Sequence, residues 1–139
     1  MIEIRNVSKI YETKNKSVIG VDGVTLTIHK EDIFGIVGYS GAGKSSLLRC
    51  INLLEKPSKG EIIVDGQDLT ALSSSALRQA RLKIGMIFQH FYLINQKTIA
   101  DNIRFALKAA DYPSNEMDAR IDELLEMVGL SDKREVYPS

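Results

Sequence analysis

One cysteine in 139 residues, Cys50, leaves no internal disulfide to form, and a reducing cytoplasm suits that usage best. An excess of either charge is also missing. The 18 Lys and Arg residues balance 18 Asp and Glu residues, so nothing supplies the basic surface that sequence-blind duplex binding needs, and no nucleic-acid partner is expected. Long apolar runs are absent too. The longest stretches, such as residues 33–37, fall far short of the roughly 20 residues that span a bilayer as a helix. The opening Met1-Ile2-Glu3-Ile4-Arg5 lacks the cationic region and apolar run of a secretory signal. No repeat and no low-complexity linker interrupts the chain, so residues 1–139 read as one continuous unit: a small domain or part of a larger one.

What is present is an α/β pattern. Ile2 and Ile4 alternate with Glu3 and Arg5, and Val24, Leu26 and Ile28 alternate with Thr25 and Thr27, which is the period of half-buried antiparallel strands. The run Ile33-Phe34-Gly35-Ile36-Val37 does not alternate, as expected of a strand covered on both faces and lying deep in a sheet. Ile84-Gly85-Met86-Ile87-Phe88 is a second such candidate. Leu47, Cys50, Ile51 and Leu54 have helical spacing and stop before Pro57. Ile62-Ile63-Val64 followed by Asp65-Gly66 reads as a short strand and turn, and residues 73–81 as a helix. Thr98 and Asp101 have capping-box spacing ahead of Ile99, Ile103 and Leu107. A last helix places Met117, Ile121, Leu124, Leu125 and Val128 on one face, with Gly129 to end it.

Between the first buried run and its helix lies Gly38-Tyr39-Ser40-Gly41-Ala42-Gly43-Lys44-Ser45, a full match to G-x-x-x-x-G-K-[ST]. Glycines let successive backbone N–H groups turn inward around phosphate oxygens, and the helix starting near Gly43 adds its positive end. Lys44 supplies a charge for the outer phosphates. The Ser45 hydroxyl can ligate a magnesium ion that bridges them. Four specified positions match by chance in roughly one chain in two hundred, and the flanking strand and helix lengthen those odds.

The run from Gly38 through Ser46-Leu47-Leu48-Arg49-Cys50 to Pro57, and the segment Ile84-Gly-Met-Ile-Phe-Gln89-His90-Phe91-Tyr92-Leu93, resemble the ATPase subunit of ABC transporters. Val7-Ser8-Lys9-Ile10-Tyr11 and Lys97-Thr98-Ile99-Ala100-Asp101-Asn102 extend the likeness over essentially the whole chain, with the methionine-import branch the most similar. The resemblance implies an α/β P-loop NTPase fold of ABC ATPase type, with an N-terminal antiparallel β subdomain and a RecA-like parallel core. Residues 1–139 would form the N-terminal part of its ATP-binding domain, ending before the signature motif. It implies ATP and Mg2+ as cofactors, held by residues 38–46, Ser46 included. Tyr11 falls where the family stacks an aromatic ring on adenine. Gln89 falls where a glutamine meets the magnesium and the attacking water, which would make it, with Lys44, part of the catalytic set. His90, Phe91, Tyr92 and Leu93 fall where the family meets its membrane permease subunit. A homodimeric partner ATPase subunit, an indirect link to an extracytoplasmic solute-binding protein, and a peripheral place on the cytoplasmic face of the membrane follow from the same likeness. Ser46 and Tyr92 depart from the family's more usual Thr and Asn.

The 139 residues include no Leu-Ser-Gly-Gly-Gln, no apolar strand ending in Asp-Glu and no later switch histidine. Ile62-Ile63-Val64-Asp65 imitates the apolar strand, but Gly66 follows and Asp-Gly signals a turn, so Asp65 is not expected to bind metal. His90 is in the wrong segment for the switch. His29 reads as a turn residue, Cys50 as a core residue, and the remaining Glu and Lys as solvated faces. The expected role is ATP binding in an importer whose complete form hydrolyses ATP to drive methionine uptake, with negligible turnover by these residues alone. A non-hydrolysing stand-alone nucleotide binder, or a small P-loop kinase or GTPase, are the alternatives. With core strands lacking, apolar faces and sheet edges should be exposed, and the isolated chain should self-associate or be only partly ordered.

Overall fold

The computed structural model describes residues 1–139, whose packing gathers into two units, Met1–Gly85 and Met86–Ser139. In the first, β1 (Ile2–Thr13) and β2 (Lys16–Ile28) make a long antiparallel hairpin across a two-residue turn at Lys14 and Asn15. β3 (Lys59–Val64) pairs with the other edge of β1, and the two-residue β4 (Gln67–Asp68) pairs with β3, giving the antiparallel order β2-β1-β3-β4. The predicted alternation sets the register. Ile2 faces Ile28 and Val64, while Ile4 faces Leu26 and Ile62. Ile4, Val7 and Ile62 are fully buried and pack with Val21, Leu69 and the inner face of α1 (Lys44–Ile51).

The hairpin is not a smooth ribbon. Its register shifts around Val7, where Asn6 and Gly23 take φ of 49° and 56°. Side-chain hydroxyls take up the local amides: Asn6 N donates to Thr25 Oγ1 and Gly23 N to Ser8 Oγ, each at 2.9 Å. Such bulges bend a strand and increase its twist.

Asp65 and Gly66 both adopt positive φ, 48° and 79°, as a tight β3–β4 hairpin turn demands. The Asp65 carboxylate receives the N-terminal ammonium at 2.7 Å, and that hydrogen bond holds its pKa below the usual carboxylate range. The segment is a turn, as expected from Asp-Gly.

Some expectations need correction. Residues 33–37 and 84–88 carry strand-like sequences but join no ladder. Val37 is 92% exposed and Ile87 97%, and only Ile36 and Ile84 of those runs rest against the first unit's core. A strand forms only when its N–H and C=O groups find a neighbouring strand, and no other segment of the 139 residues offers one. The second correction is at Leu54, which is exposed because α1 stops at Ile51. Leu53, turned by a φ of 54°, takes the buried place. The Arg81 guanidinium closes that end of α1 by donating to the carbonyls of Asn52, at 3.0 Å, and Leu53. Arg81 ends α2 (Ser74–Arg81), which is capped by Ser73 Oγ.

In the second unit, α3 (Ile99–Ala109) and α4 (Met117–Met127) bury Ala100 against Ile121 and Leu125. Thr98 Oγ1 accepts from Asp101 N at 3.2 Å, as the capping spacing predicts. The Ile99 and Ala100 amides are satisfied by the carbonyls of Val136 and Arg134 at 2.9 Å. After α4, Leu130 N returns to Leu125 O at 2.8 Å and Gly129 N to Glu126 O at 3.0 Å, with Gly129 at φ 70°. That pattern satisfies the helix's last carbonyls and ends it where the glycine was expected to. Val128 points outward, contrary to its predicted place on the buried face. No helix is long and apolar enough to cross a membrane.

Candidate nucleotide-binding site

The phosphate loop follows residues 33–37, of which only Ile36 is partly buried, and leads into α1, whose first residue is Lys44. Gly41 and Gly43 take φ of 80° and 86°, a region open to glycine at no steric cost. Gly43 has a second reason to be glycine. A Cβ there would overlap the carbonyl oxygen of Gly20 on β2, so this contact presses the start of the helix against the hairpin. The Lys44 ammonium folds back onto the loop and donates to the Gly38 and Tyr39 carbonyls, each at 2.7 Å. It stands inside the curl of the loop. Ser45 follows in the first turn of the helix with its side chain exposed.

Two adjoining concavities share Ile19, Gly20, Gly41, Ala42, Gly43 and Lys44. One, of about 400 Å³, extends toward Val24, Val37 and Leu47. The other, of about 350 Å³, joins Ser40, Ser45 and Ser46 to Val18, Ile19 and Tyr11 on the hairpin. Tyr11 and the phosphate loop, 27 residues or more apart in sequence, therefore line one cavity. The second concavity combines an aromatic ring, a cation, serine hydroxyls and glycine backbone, a set suited to a base at one end and phosphates at the other.

Tyr11 is held firmly. Its ring lies across Gly20, where a Cβ would come to 2.5 Å from Tyr11 Cε2. Its hydroxyl is hydrogen-bonded to Ser46 Oγ at 2.9 Å and to a Glu55 carboxylate oxygen. Glu55 in turn accepts from Arg49 at 3.1 Å. The Lys9 ammonium stands 5.3 Å from the Tyr11 ring centroid and donates to Lys56 O at 2.8 Å. Burial, then the Glu55 carboxylate, push the phenol pKa up against an opposing effect of Ser46. Burial works in the same upward direction on Glu55, but the bonds from Tyr11 and Arg49 outweigh it and hold the carboxyl low. Glu55 and Lys9 are thus not the solvated surface charges that the sequence suggested. No short motif marks either one, because Glu55 reaches Tyr11 across 44 residues and Lys9 reaches the Lys56 carbonyl across 47.

Gln89 and His90 occupy an exposed bend of the second unit, followed by Phe91, Tyr92 and Leu93, all exposed. Tyr92, at φ 49°, packs edge-on against Phe88 with centroids 5.0 Å apart and against His90 at 6.3 Å. No cluster of three or more His, Cys, Asp or Glu residues could hold a metal ion. Magnesium does not require one, since it keeps water and phosphate oxygens and takes one or two protein ligands, a demand that an exposed Ser45 hydroxyl at a phosphate cradle fits. His29 lies in an exposed turn whose Asp32 carboxylate accepts from its amide at 2.9 Å, and Cys50 is buried, with burial raising its thiol pKa.

The ABC transporter family profile matches residues 21–138. The chain belongs to the ABC transporter family. It is 66% identical over all 139 residues to the methionine import ATP-binding protein MetN 2 of Shouchella clausii, and 55% identical over the same length to MetN of Desulfitobacterium hafniense. In both comparisons the whole chain is covered, and it spans 41% of the relative's length. Among solved structures it is similar to an ATP-binding cassette in a dimeric post-hydrolysis state bound to ADP and Pi, with TM-score 0.91 and 31% identity over 99% of this chain and 62% of that one. The antiparallel sheet and the helices described above are therefore those of the N-terminal portion of an ABC ATPase cassette.

Proposed function

We propose that these residues form the ATP-binding portion of an ABC importer's ATPase, with methionine or a related amino acid as the solute. The observation that carries the reading is the shared cavity of Tyr11 and residues 40–46, with the Lys44 ammonium at the loop's centre. Its support in sequence is the pair of methionine-import relatives. In this reading the amides of residues 38–45 and Lys44 hold the β- and γ-phosphates, Ser46 adds a hydroxyl, and Tyr11 offers a ring to the adenine. Ser45 and Gln89 are the chain's candidate ligands for Mg2+, whose chemistry is to neutralise charge on the transferring phosphoryl group. Residues 90–93 would face a permease subunit. A second ATPase subunit would close the nucleotide site, an extracytoplasmic solute-binding protein would deliver the solute, and the assembly would sit peripherally on the cytoplasmic face of the membrane.

The Lys44 ammonium now satisfies two carbonyls, and an arriving triphosphate offers it anionic oxygens instead. Both sets of bonds use the same ionised donor, but an anionic phosphate oxygen adds a full opposite charge where a carbonyl offers only a dipole, so the exchange favours the ligand. Titration with ATP and magnesium tests this, using the 139-residue chain and the same chain continued with the remainder of the Shouchella relative. Saturable binding is expected in the extended protein, with Lys44→Ala weakening it by about tenfold to a hundredfold, as expected for loss of a hydrogen bond to a charged group. The 139 residues alone should release no phosphate. Steady magnesium-dependent hydrolysis by them that vanishes in Lys44→Ala would refute the division of labour, and binding without hydrolysis even in the extended protein would favour a nucleotide-binding module.

A further inference from the structure

The Tyr11 hydroxyl carries one proton and has two partners, Ser46 Oγ at 2.9 Å and the Glu55 carboxylate. A carboxylate is the stronger acceptor, so the phenol proton goes to Glu55 and the Ser46 hydroxyl donates to the phenol oxygen. A directed chain results, from the Ser46 hydroxyl through the Tyr11 hydroxyl to Glu55, with Arg49 donating to the carboxylate from its other side at 3.1 Å. Its far end is anchored to the helix that begins at the phosphate loop. The Glu55 amide donates to the Arg49 carbonyl at 3.0 Å, so Glu55 is tied to α1 through both backbone and side chain. Tyr11, by contrast, belongs to the hairpin.

We infer that Glu55 is a positioning residue for nucleotide recognition: by accepting the Tyr11 hydroxyl it sets the ring beside the phosphate loop, and the shared bond to Ser46 couples base contact to phosphate contact. The inference rests on the nucleotide reading above and deepens it. While Ser46 donates to Tyr11 it has no proton to give a phosphate oxygen. An anionic phosphate is the better acceptor, so its arrival draws the Ser46 hydroxyl away, and Glu55 alone then fixes the phenol. Without Glu55 the ring would lose its anchor at the moment the base needs it.

A merely structural Glu55, stapling β1 to α1, would matter equally for any ligand. A positioning Glu55 matters only for ligands that carry a base. The test compares ATP with inorganic tripolyphosphate, each with magnesium, by calorimetric titration of the chain continued to its relatives' length. Wild type, Glu55→Gln, Tyr11→Phe and the double variant are measured. Both single variants keep shape and, in Tyr11→Phe, the ring. Exchanging a charged hydrogen bond for a neutral one or none is expected to lower ATP affinity about threefold to tenfold in each single variant. Tripolyphosphate affinity should not fall in any variant, which also reports that the variants are folded. The double variant should bind ATP no more weakly than the weaker single one, because the two changes break one bond. Unchanged ATP affinity in Glu55→Gln, equal losses for the two ligands, or additive losses in the double variant would each overturn the inference. Wild-type protein that binds neither ligand would instead sink the nucleotide reading on which it stands.

Discussion

Gly43 shows how much one residue position can be asked to satisfy. Its φ of 86° keeps the loop curled, and its missing side chain lets the loop touch the Gly20 carbonyl. Alanine at this position meets both a strained backbone and a blocked approach. Gly43→Ala is expected to cost about 1–3 kcal/mol for the backbone conformation, with the overlap adding to it, as read from denaturant unfolding. Gly41→Ala, with a similar φ but open space around its Cβ, should cost less. A loss at Gly43 no larger than at Gly41 would mean that the Gly20 contact does not hold the loop. The motif made both glycines visible in the sequence, yet it could not tell them apart, because Gly20 is 23 residues away and carries no signal of its own.

Among the elements, the end of α3 that receives the 134–136 carbonyls depends on an ionic cluster. Arg134 pairs with Asp118 at 2.9 Å and Asp122 at 2.8 Å, and Arg104 reaches Asp118 at 2.7 Å. The hydrogen bond from Arg104 is the main cause that holds the Asp118 carboxyl below its ordinary range. Its folded pKa is thus lower than its unfolded one. The stabilisation it contributes is fully present above the unfolded value of about 4 and is lost as pH falls through the lower folded value. Acidification from about pH 5 to about pH 2 should therefore loosen the second unit, and Asp118→Asn should flatten that part of the curve, measured by helix circular dichroism. The effect should be small, because Asp118 is exposed and exposed pairs are screened. An unchanged slope in Asp118→Asn would remove the cluster from the account of acid sensitivity. Helix ends here were readable from Thr98 and Gly129, whose chemistry is local. The cluster was not, since it joins residues 14 and 16 positions apart.

Over the molecule as a whole, the decisive feature is apolar sequence with no sheet to enter. Residues 33–37 and 84–88 place Ile33, Val37 and Ile87 in solvent, beside a half-exposed Phe34 and a partly exposed Phe88. Exposed apolar patches and unpaired strand segments promote association. Sedimentation velocity of the 139-residue chain should show concentration-dependent self-association, which the paired substitutions Val37→Ser and Ile87→Ser reduce. A monodisperse monomer at high concentration would contradict this. Continuing the chain to its relatives' length should also reduce association if added strands cover these runs.

Motifs with local physics were decided within short stretches of chain. The phosphate loop, the Asp65-Gly66 turn, the Thr98 cap and the Gly129 stop each depend on backbone conformations or hydrogen bonds reaching a few residues. The alternation of β1 and β2 announced half-buried antiparallel strands for the same reason, though not the turn that joins them. Folding in three dimensions settled the rest. It brought Tyr11 beside Ser46, turned Glu55 from an apparent surface charge into an anchor, put Leu53 rather than Leu54 inside, and left two strand-like runs unpaired. Those outcomes depend on which distant groups come within hydrogen-bonding or van der Waals range, and side-chain spacing along the chain carries no record of that.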